Sequence, residues 1–257
     1  MAGKFDNSKD IKGKVALITG GTTNLGGATA HDLASLGVNL FLHYRTNQAA
    51  AEKTQKDLQA KYPDIKVEIY QGALTKASDL TKLFDAAKAA FPKGIDIAIN
   101  NIGKVVKKPL IEVTEEEFDE LDLVNHKVAF FFLKEAGLKI NDNGRIVSLV
   151  TSLLAAYTPF YSPYQGTKAP VEFYTKALSK ELGERGISVN AVAPGPMDTS
   201  FLHGSETKEA VGYLASVGLN GRLTEVSDIV PIIRLLVSDG AWVTGQTVFA
   251  SGGFTAR

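Results

Sequence analysis

Cysteine is absent from all 257 residues, which excludes disulfide bridges, thiolate metal ligands and cysteine nucleophiles, and fits a reducing compartment such as the cytoplasm. An excess of charge of either sign is also lacking. The 28 lysines and arginines balance 28 aspartates and glutamates, so no overall positive field draws the chain to nucleic acid or an anionic membrane. A small-molecule partner is the expectation that remains. No apolar run approaches the roughly 18 residues needed to span a bilayer. Residues 1–12 are polar and lysine-rich, without the apolar stretch of a secretory signal, and read as a frayed arm. The four histidines, His31, His43, His126 and His203, show no ligand spacing, so no metal is expected and only His203 is a candidate for touching substrate. No glycine/serine linker, composition break or repeat divides the chain. With 44% hydrophobic content it can bury one large core, and a single domain over 1–257 is expected.

What the sequence does contain is regular alternation. β-rich runs at 15–19, 39–44, 66–70, 95–99, 145–150, 188–192 and 247–250 alternate with segments of helical period at 25–36, 48–61, 76–91, 114–136, 164–185 and 225–238. Several runs are continuously apolar, as strands covered on both faces must be. Repeated βα winding predicts an α/β, doubly wound, mainly parallel seven-stranded sheet. Its ligand site would lie beyond the carboxyl ends of the strands, where the strand order reverses.

Three motifs fall at strand ends. After the first strand, Thr19-Gly20-Gly21-Thr22-Thr23-Asn24-Leu25-Gly26-Gly27 opens into an alanine-rich helix. Gly20 permits a tight turn, and Gly26 lets the backbone and helix N-terminus approach a pyrophosphate, whose charge the helix dipole favours. An ordinary strand-to-helix turn would look alike in isolation. After the second strand, Tyr44-Arg45-Thr46-Asn47 offers no acid to hold a free ribose 2′-hydroxyl. Arg45 has instead a fork of donors for a 2′-phosphate, with Thr46 and Asn47 able to add hydrogen bonds. That points to NADPH, against the plainer reading of Arg45 as a solvated loop residue. Third, Tyr164 and Lys168 stand one helical turn apart. An ammonium beside a phenol, reinforced by the charge of an oxidised nicotinamide, is expected to lower the phenol pKa from its usual value of about 10, making a proton donor for carbonyl chemistry. Tyr62 and Lys66 repeat the spacing, but in a loop before a strand. Tyr164 differs in following Thr151 by thirteen residues and preceding the loop 194–199.

Taken together, these motifs resemble the short-chain dehydrogenase/reductase family, in its carbonyl-reductase branch, over essentially the whole length from Lys14 to Gly252-Gly253. The resemblance implies a Rossmann-type three-layer sandwich, NADPH/NADP+ as cofactor, and reversible reduction of a ketone or aldehyde to an alcohol. It makes Tyr164 the general acid, Lys168 the residue that holds the nicotinamide ribose and tunes Tyr164, and Asn125 the anchor of a proton-relay water. Thr151 falls where the family has its catalytic serine. Its hydroxyl can serve with a narrower choice of rotamer, and Ser152 is the fallback. The loop matches TGxxxGxG with Asn24 for the middle glycine, and asparagine tolerates a left-handed backbone.

The cofactor set implied is Gly20, Thr22, Asn24, Leu25, Gly26, Tyr44, Arg45, Thr46, Leu74, Asn101, Ile102, Gly103, Tyr164, Lys168, Pro194, Gly195, Met197 and Thr199. Within it Tyr44 stands where NAD-dependent relatives carry aspartate. Ile102 replaces the usual alanine. Ala73 replaces an aspartate that many relatives aim at adenine, leaving the backbone of Leu74. Residues 200–220 would form a substrate lid offering Phe201, His203, Tyr213 and Leu214. Leu153, Leu154, Tyr157, Phe160 and Tyr161 would make an apolar, aromatic pocket, or else core or subunit contacts. A homotetramer built through 114–136, 164–185 and the last strand is implied, with Phe130, Phe131, Phe132, Phe173 and Tyr174 as either faces or core. Two rivals stand beside this reading. The departures at Asn24, Ile102 and Thr151 would permit a catalytically silent NADP-binding sensor or structural subunit, although Tyr164, Lys168 and Asn125 are all retained. Reduction of a carbon–carbon double bond is the other, but enoyl reductases of this fold place the lysine farther from the tyrosine.

Overall fold

A computed structural model describes residues 10–156 and 158–255. Seven strands form one sheet among the described residues: β1 Val15–Ile18, β2 Asn39–Tyr44, β3 Val67–Gln71, β4 Ile95–Asn100, β5 Ile140–Leu149, β6 Ser188–Pro194 and β7 Thr247–Ala250. Their order is β3-β2-β1-β4-β5-β6-β7, and every neighbouring pair is parallel. The helices are α1 Asn24–Ser35, α2 Gln48–Lys61, α3 Ala77–Ala90, α4 Glu115–Leu121, α5 Val128–Lys139, α6 Ser162–Glu181, α7 Ser200–His203, α8 Lys208–Ser216 and α9 Val226–Val237.

The period of two along β1 builds both cores at once. Ala16 and Ile18 face a cluster with Leu33 of α1 and Ile233 of α9, whereas Val15 and Leu17 face one with Leu83 of α3 and Phe132 of α5. Because both faces are covered, alternating hydrophobic and polar positions are unnecessary, and Val-Ala-Leu-Ile is buried throughout. The order reverses at β1, whose neighbours are β2 on one side and β4 on the other. The crevice between the carboxyl ends of β1 and β4 is therefore the natural ligand site.

Three segments depart from what their sequences suggest. The single helix expected over 114–136 is divided into α4, a π-helical turn at Asp122–Lys127, and α5. A π turn holds one extra residue, and Asn125 within it is fully buried. β5 begins at Ile140 rather than 145, hidden in sequence by the polar run Asn141-Asp142-Asn143-Gly144. The arm expected over 1–12 ends earlier, since Ile11 is buried in the core and Gly13 N–H donates to the Gly37 carbonyl at 2.8 Å. The remainder of that arm, residues 1–9, lies outside the described residues. The expected lid at 200–220 folds as α7, α8 and a short turn at Leu219–Gly221. Among the described residues no helix is long and apolar enough to cross a membrane.

The core makes a stability prediction. Phe84 of α3 and Phe132 of α5 are both fully buried, with ring centroids 5.2 Å apart in an edge-to-face arrangement. Phe84→Ala should lower unfolding free energy by about 3–5 kcal/mol, read from denaturant midpoints at unchanged slope.

Candidate active site

The loop after β1 is shaped by its own packing. Gly20 has φ +59° and Asn24 φ +47°, both in the left-handed region, so asparagine adopts here the backbone expected of it. A Cβ on Gly26 would lie 2.1 Å from the Gly20 carbonyl oxygen and 2.7 Å from Asn101 Nδ2. Gly26 was expected to make room for a pyrophosphate. The room it makes is first for the loop itself. Asn101 Nδ2 donates to the Gly20 carbonyl at 3.2 Å, and its backbone N–H donates to Thr19 Oγ1 at 3.0 Å, tying β1 to β4.

His43, on β2, is a strut that sequence reasoning passed over as a satisfied histidine. The Gly20 N–H donates to Nδ1 at 3.3 Å, and Nε2 lies 2.9 Å from the Gly72 carbonyl. A carbonyl can only accept, so Nε2 carries the proton and the ring is neutral. Burial pushes its pKa below the ordinary histidine value, with the Gly72 bond opposing. No side chain caps the N-terminus of α1 at Thr23, which leaves first-turn amides available to an anion. The loop thus fits a phosphate group.

At the end of β2, Arg45 and Thr46 are exposed and no carboxylate intervenes. Asn47 has a different task from the one expected: its side chain accepts the Ala50 N–H at 3.0 Å and caps α2. Tyr44, Thr22 and Leu74 are buried, and none of the three lines the cleft.

Helix α6 carries Tyr164 and Lys168 on one face, both buried. Lys168 Nζ donates to the carbonyls of Ile102 at 3.0 Å and Leu149 at 2.9 Å, bridging the segments that follow β4 and end β5. Gly103 allows that approach, because a Cβ there would lie 3.2 Å from Nζ. Asn125 Nδ2 donates to the Lys104 carbonyl at 2.8 Å and to Thr167 Oγ1 at 3.1 Å, while the Lys104 N–H donates to Oδ1 at 2.9 Å. Thr151 stands beside the Tyr164 phenol, close enough to lower its pKa, and accepts the Leu153 N–H at 3.3 Å. Between the two candidate hydroxyls, the structure brings Thr151 to the phenol.

The expected lowering of Tyr164 joined the ammonium to the charge of an oxidised nicotinamide; the protein's own groups move the phenol the other way. Burial pushes the phenol up to about 12, only partly offset by the nearby Thr151 hydroxyl. Burial also lowers Lys168 to about 8. The ammonium is directed at two carbonyls, and desolvation dominates both groups. Near neutrality the phenol therefore keeps its proton.

Two adjoining cavities meet at Tyr164. The cleft runs past Gly20, Asn24, Leu25, Asn101, Ile102, Gly103 and Lys168, and both cavities share Pro194, Met197, Thr199 and Phe201. The second cavity, about 650 Å³ including its open mouth, is lined by Thr151, Leu153, Tyr161, Gly195, Phe201 and Leu214, together with Val105, Leu202 and Phe254, which carried no signal in sequence. Of the other expected pocket residues, Leu154 packs against the core, and Phe160 and Tyr213 are exposed. His203 is also absent from the lining and bonds Asp198 Oδ1 at 2.6 Å. Tyr157 lies outside the described residues. Phe132 is core, whereas Phe130 and Phe173 are exposed.

Several known proteins are similar to this chain over nearly its whole length. A family profile described as Enoyl-(Acyl carrier protein) reductase matches residues 20–255. NADPH-dependent aldehyde reductase 2, chloroplastic, of Arabidopsis thaliana is 34% identical over 256 residues, covering 95% of this chain and 94% of that protein. A short-chain type dehydrogenase/reductase of Picea abies is 33% identical over 252 residues, covering 95% and 93%. A crystal structure of a protein described as a dehydrogenase from Burkholderia cenocepacia, with bound NADP, superposes with a TM-score of 0.93 at 49% identity over 97% of this chain and 96% of that one. The chain belongs to the short-chain dehydrogenase/reductase family.

The buried lysine predicts a pH signature of the cofactor-free protein. Its folded pKa lies near 8, below the unfolded value of 10.5, so above pH 8 the unfolded state binds more protons and stability rises with pH. Relative to Lys168→Met, the wild type should gain on the order of 2 kcal/mol between pH 8 and 9.5. Paired denaturant curves at the two pH values check this, and parallel pH dependences would refute it.

Proposed function

We propose that the protein reduces a ketone or aldehyde to an alcohol, reversibly, with NADPH as the reductant and Tyr164 as the proton donor. The observation that carries this reading is the hydroxyl pair Thr151–Tyr164, buried where the cleft and the second cavity meet. Reduced nicotinamide, when bound, supplies the hydride. Tyr164, neutral and desolvated, holds a proton for the carbonyl oxygen, and the Thr151 hydroxyl orients the phenol and shares in stabilising developing negative charge. Lys168 fixes the floor of the cleft through Ile102 and Leu149. Asn125 fixes the segment above it through Lys104.

The cofactor is NADPH/NADP+. Support comes from the exposed Arg45 at a strand end without an acid, from the name of the Arabidopsis relative, and from NADP in the Burkholderia structure. The loop at Gly20, Asn24, Leu25 and Gly26 would hold its pyrophosphate, with Asn101 to Gly103 and Pro194 to Thr199 flanking the nicotinamide. The description of the matching family profile favours a double bond as substrate. Against it stands the four-residue spacing of Tyr164 and Lys168, and a phenol already paired with a hydroxyl suits a carbonyl oxygen. Intact catalytic contacts also favour an enzyme over a silent sensor.

One domain with a lid over 200–220, a cytoplasmic location and a homotetramer complete the reading. Phe130 on α5 and Phe173 on α6, 43% and 62% exposed, offer apolar faces for assembly. The word chloroplastic belongs to the name of the Arabidopsis relative.

A panel of aldehydes, ketones and β-keto esters, followed by loss of NADPH absorbance, tests the activity. Tyr164→Phe should reduce turnover by at least about 100-fold with NADPH binding kept, and Thr151→Ala should lower it more than Ser152→Ala does. Tight NADPH binding without turnover of any carbonyl would instead support the sensor. Arg45→Asp should weaken NADPH far more than NADH in fluorescence titrations, and equal losses would remove Arg45 from phosphate recognition.

A further inference from the structure

The second cavity is lined by apolar groups and hydroxyls, and among the described residues no charged side chain lines it. Immediately behind its wall, however, lies a buried carboxylate. Glu206, on the lid between α7 and α8, has a side chain only 1% exposed. One carboxylate oxygen lies 2.5 Å from Lys107 Nζ, and the other accepts the Tyr161 hydroxyl. Lys107 also sits 5.8 Å from the centre of the Tyr161 ring. Lys107 belongs to the segment after β4, and Tyr161 immediately precedes α6. Three stretches far apart in sequence thus converge on one carboxylate.

The consequence for the cavity is geometric. Tyr161 presents its ring to the cavity, 6.4 Å from that of Tyr164, while its hydroxyl turns toward Glu206. Burial, followed by the Glu206 contact, pushes the Tyr161 phenol above its ordinary pKa, so it remains a donor. A carboxylate so far removed from water is tolerable only when paired and hydrogen-bonded, and Glu206 reaches both partners only with the lid in place.

We propose that Glu206 determines the specificity of this pocket. By capturing Lys107 and Tyr161 it closes the lid and leaves no free cation at the cavity wall among the described residues, so the site selects uncharged carbonyl compounds over those bearing a carboxylate. The proposal rests on the carbonyl-reductase reading of the site. An anionic substrate meets a cation already neutralised and a second carboxylate beside it, in surroundings where charge repulsion is weakly screened.

Binding to the NADP+-loaded protein tests this without reduction of the aldehyde, because no hydride is available to it there. Isothermal titration with para-nitrobenzaldehyde and para-carboxybenzaldehyde should show the wild type preferring the neutral compound by at least about tenfold. Glu206→Gln keeps size and an acceptor for Tyr161 but releases Lys107, and should bring the two affinities to within about twofold. Lys107→Met/Glu206→Gln, with neither charge, should restore the neutral preference. A wild type without preference, or a ratio unchanged in Glu206→Gln, overturns the proposal. Lid closure has its own readout: Lys107→Met should accelerate tryptic cleavage after Lys208, followed by mass spectrometry, and an unchanged rate also overturns it. A wild type that keeps the binding preference yet reduces no carbonyl with NADPH would support the pocket assignment while refuting the reductase reading.

Discussion

The site is organised around a buried ammonium. Lys168 donates to two backbone carbonyls, one just beyond β4 and one at the end of β5, and so it fastens two neighbouring strand ends to α6. Everything chemical is placed relative to that fastening. Tyr164 is held one turn before it, Gly103 leaves room beside it, and Asn125 secures the adjoining Lys104. A cation with carbonyl partners carries a desolvation penalty that a carboxylate would have relieved. The fold accepts that penalty at the place where the sheet opens to the cleft.

The loop after β1 shows the same economy. Its left-handed residues, the crowding of Gly26 against Gly20, and the His43 strut are all satisfied within the protein. An incoming anion would find donors already oriented, with little ordering left to do. The stretch between α7 and α8 is attached in the opposite fashion, through a charged contact of Lys107 with Glu206. Rigid loop and charged contact sit on either side of Tyr164.

Much of this was legible in sequence. Continuous apolar runs gave the buried parallel strands, with β2 and β7 at their expected bounds, because local periodicity and burial coincide there. The loop around Gly20 and the Tyr164–Lys168 pair were legible for a similar reason: their geometry is set within one or two turns of chain. The π turn was not, since its apolar period reads as ordinary helix until Asn125 finds partners on other segments. Neither was the Lys107–Glu206–Tyr161 contact, whose members are up to 99 residues apart. The upward shift that the protein's own groups give Tyr164 has a related cause. A neighbouring ammonium can be read from spacing, but the depth of burial that outweighs it cannot.

The π turn also separates chemistry from architecture. Its wider winding absorbs one additional residue locally, so the insertion at Asp122–Lys127 shifts Asn125 within the turn while α5 keeps the facing it would have in an unbroken helix one residue shorter. Deleting one residue there would restore a regular helix and leave Phe132 in the core, but would take from Asn125 the bulge that places it. The phase of the helix that fills the core and the placement of the residue in the turn can therefore vary independently.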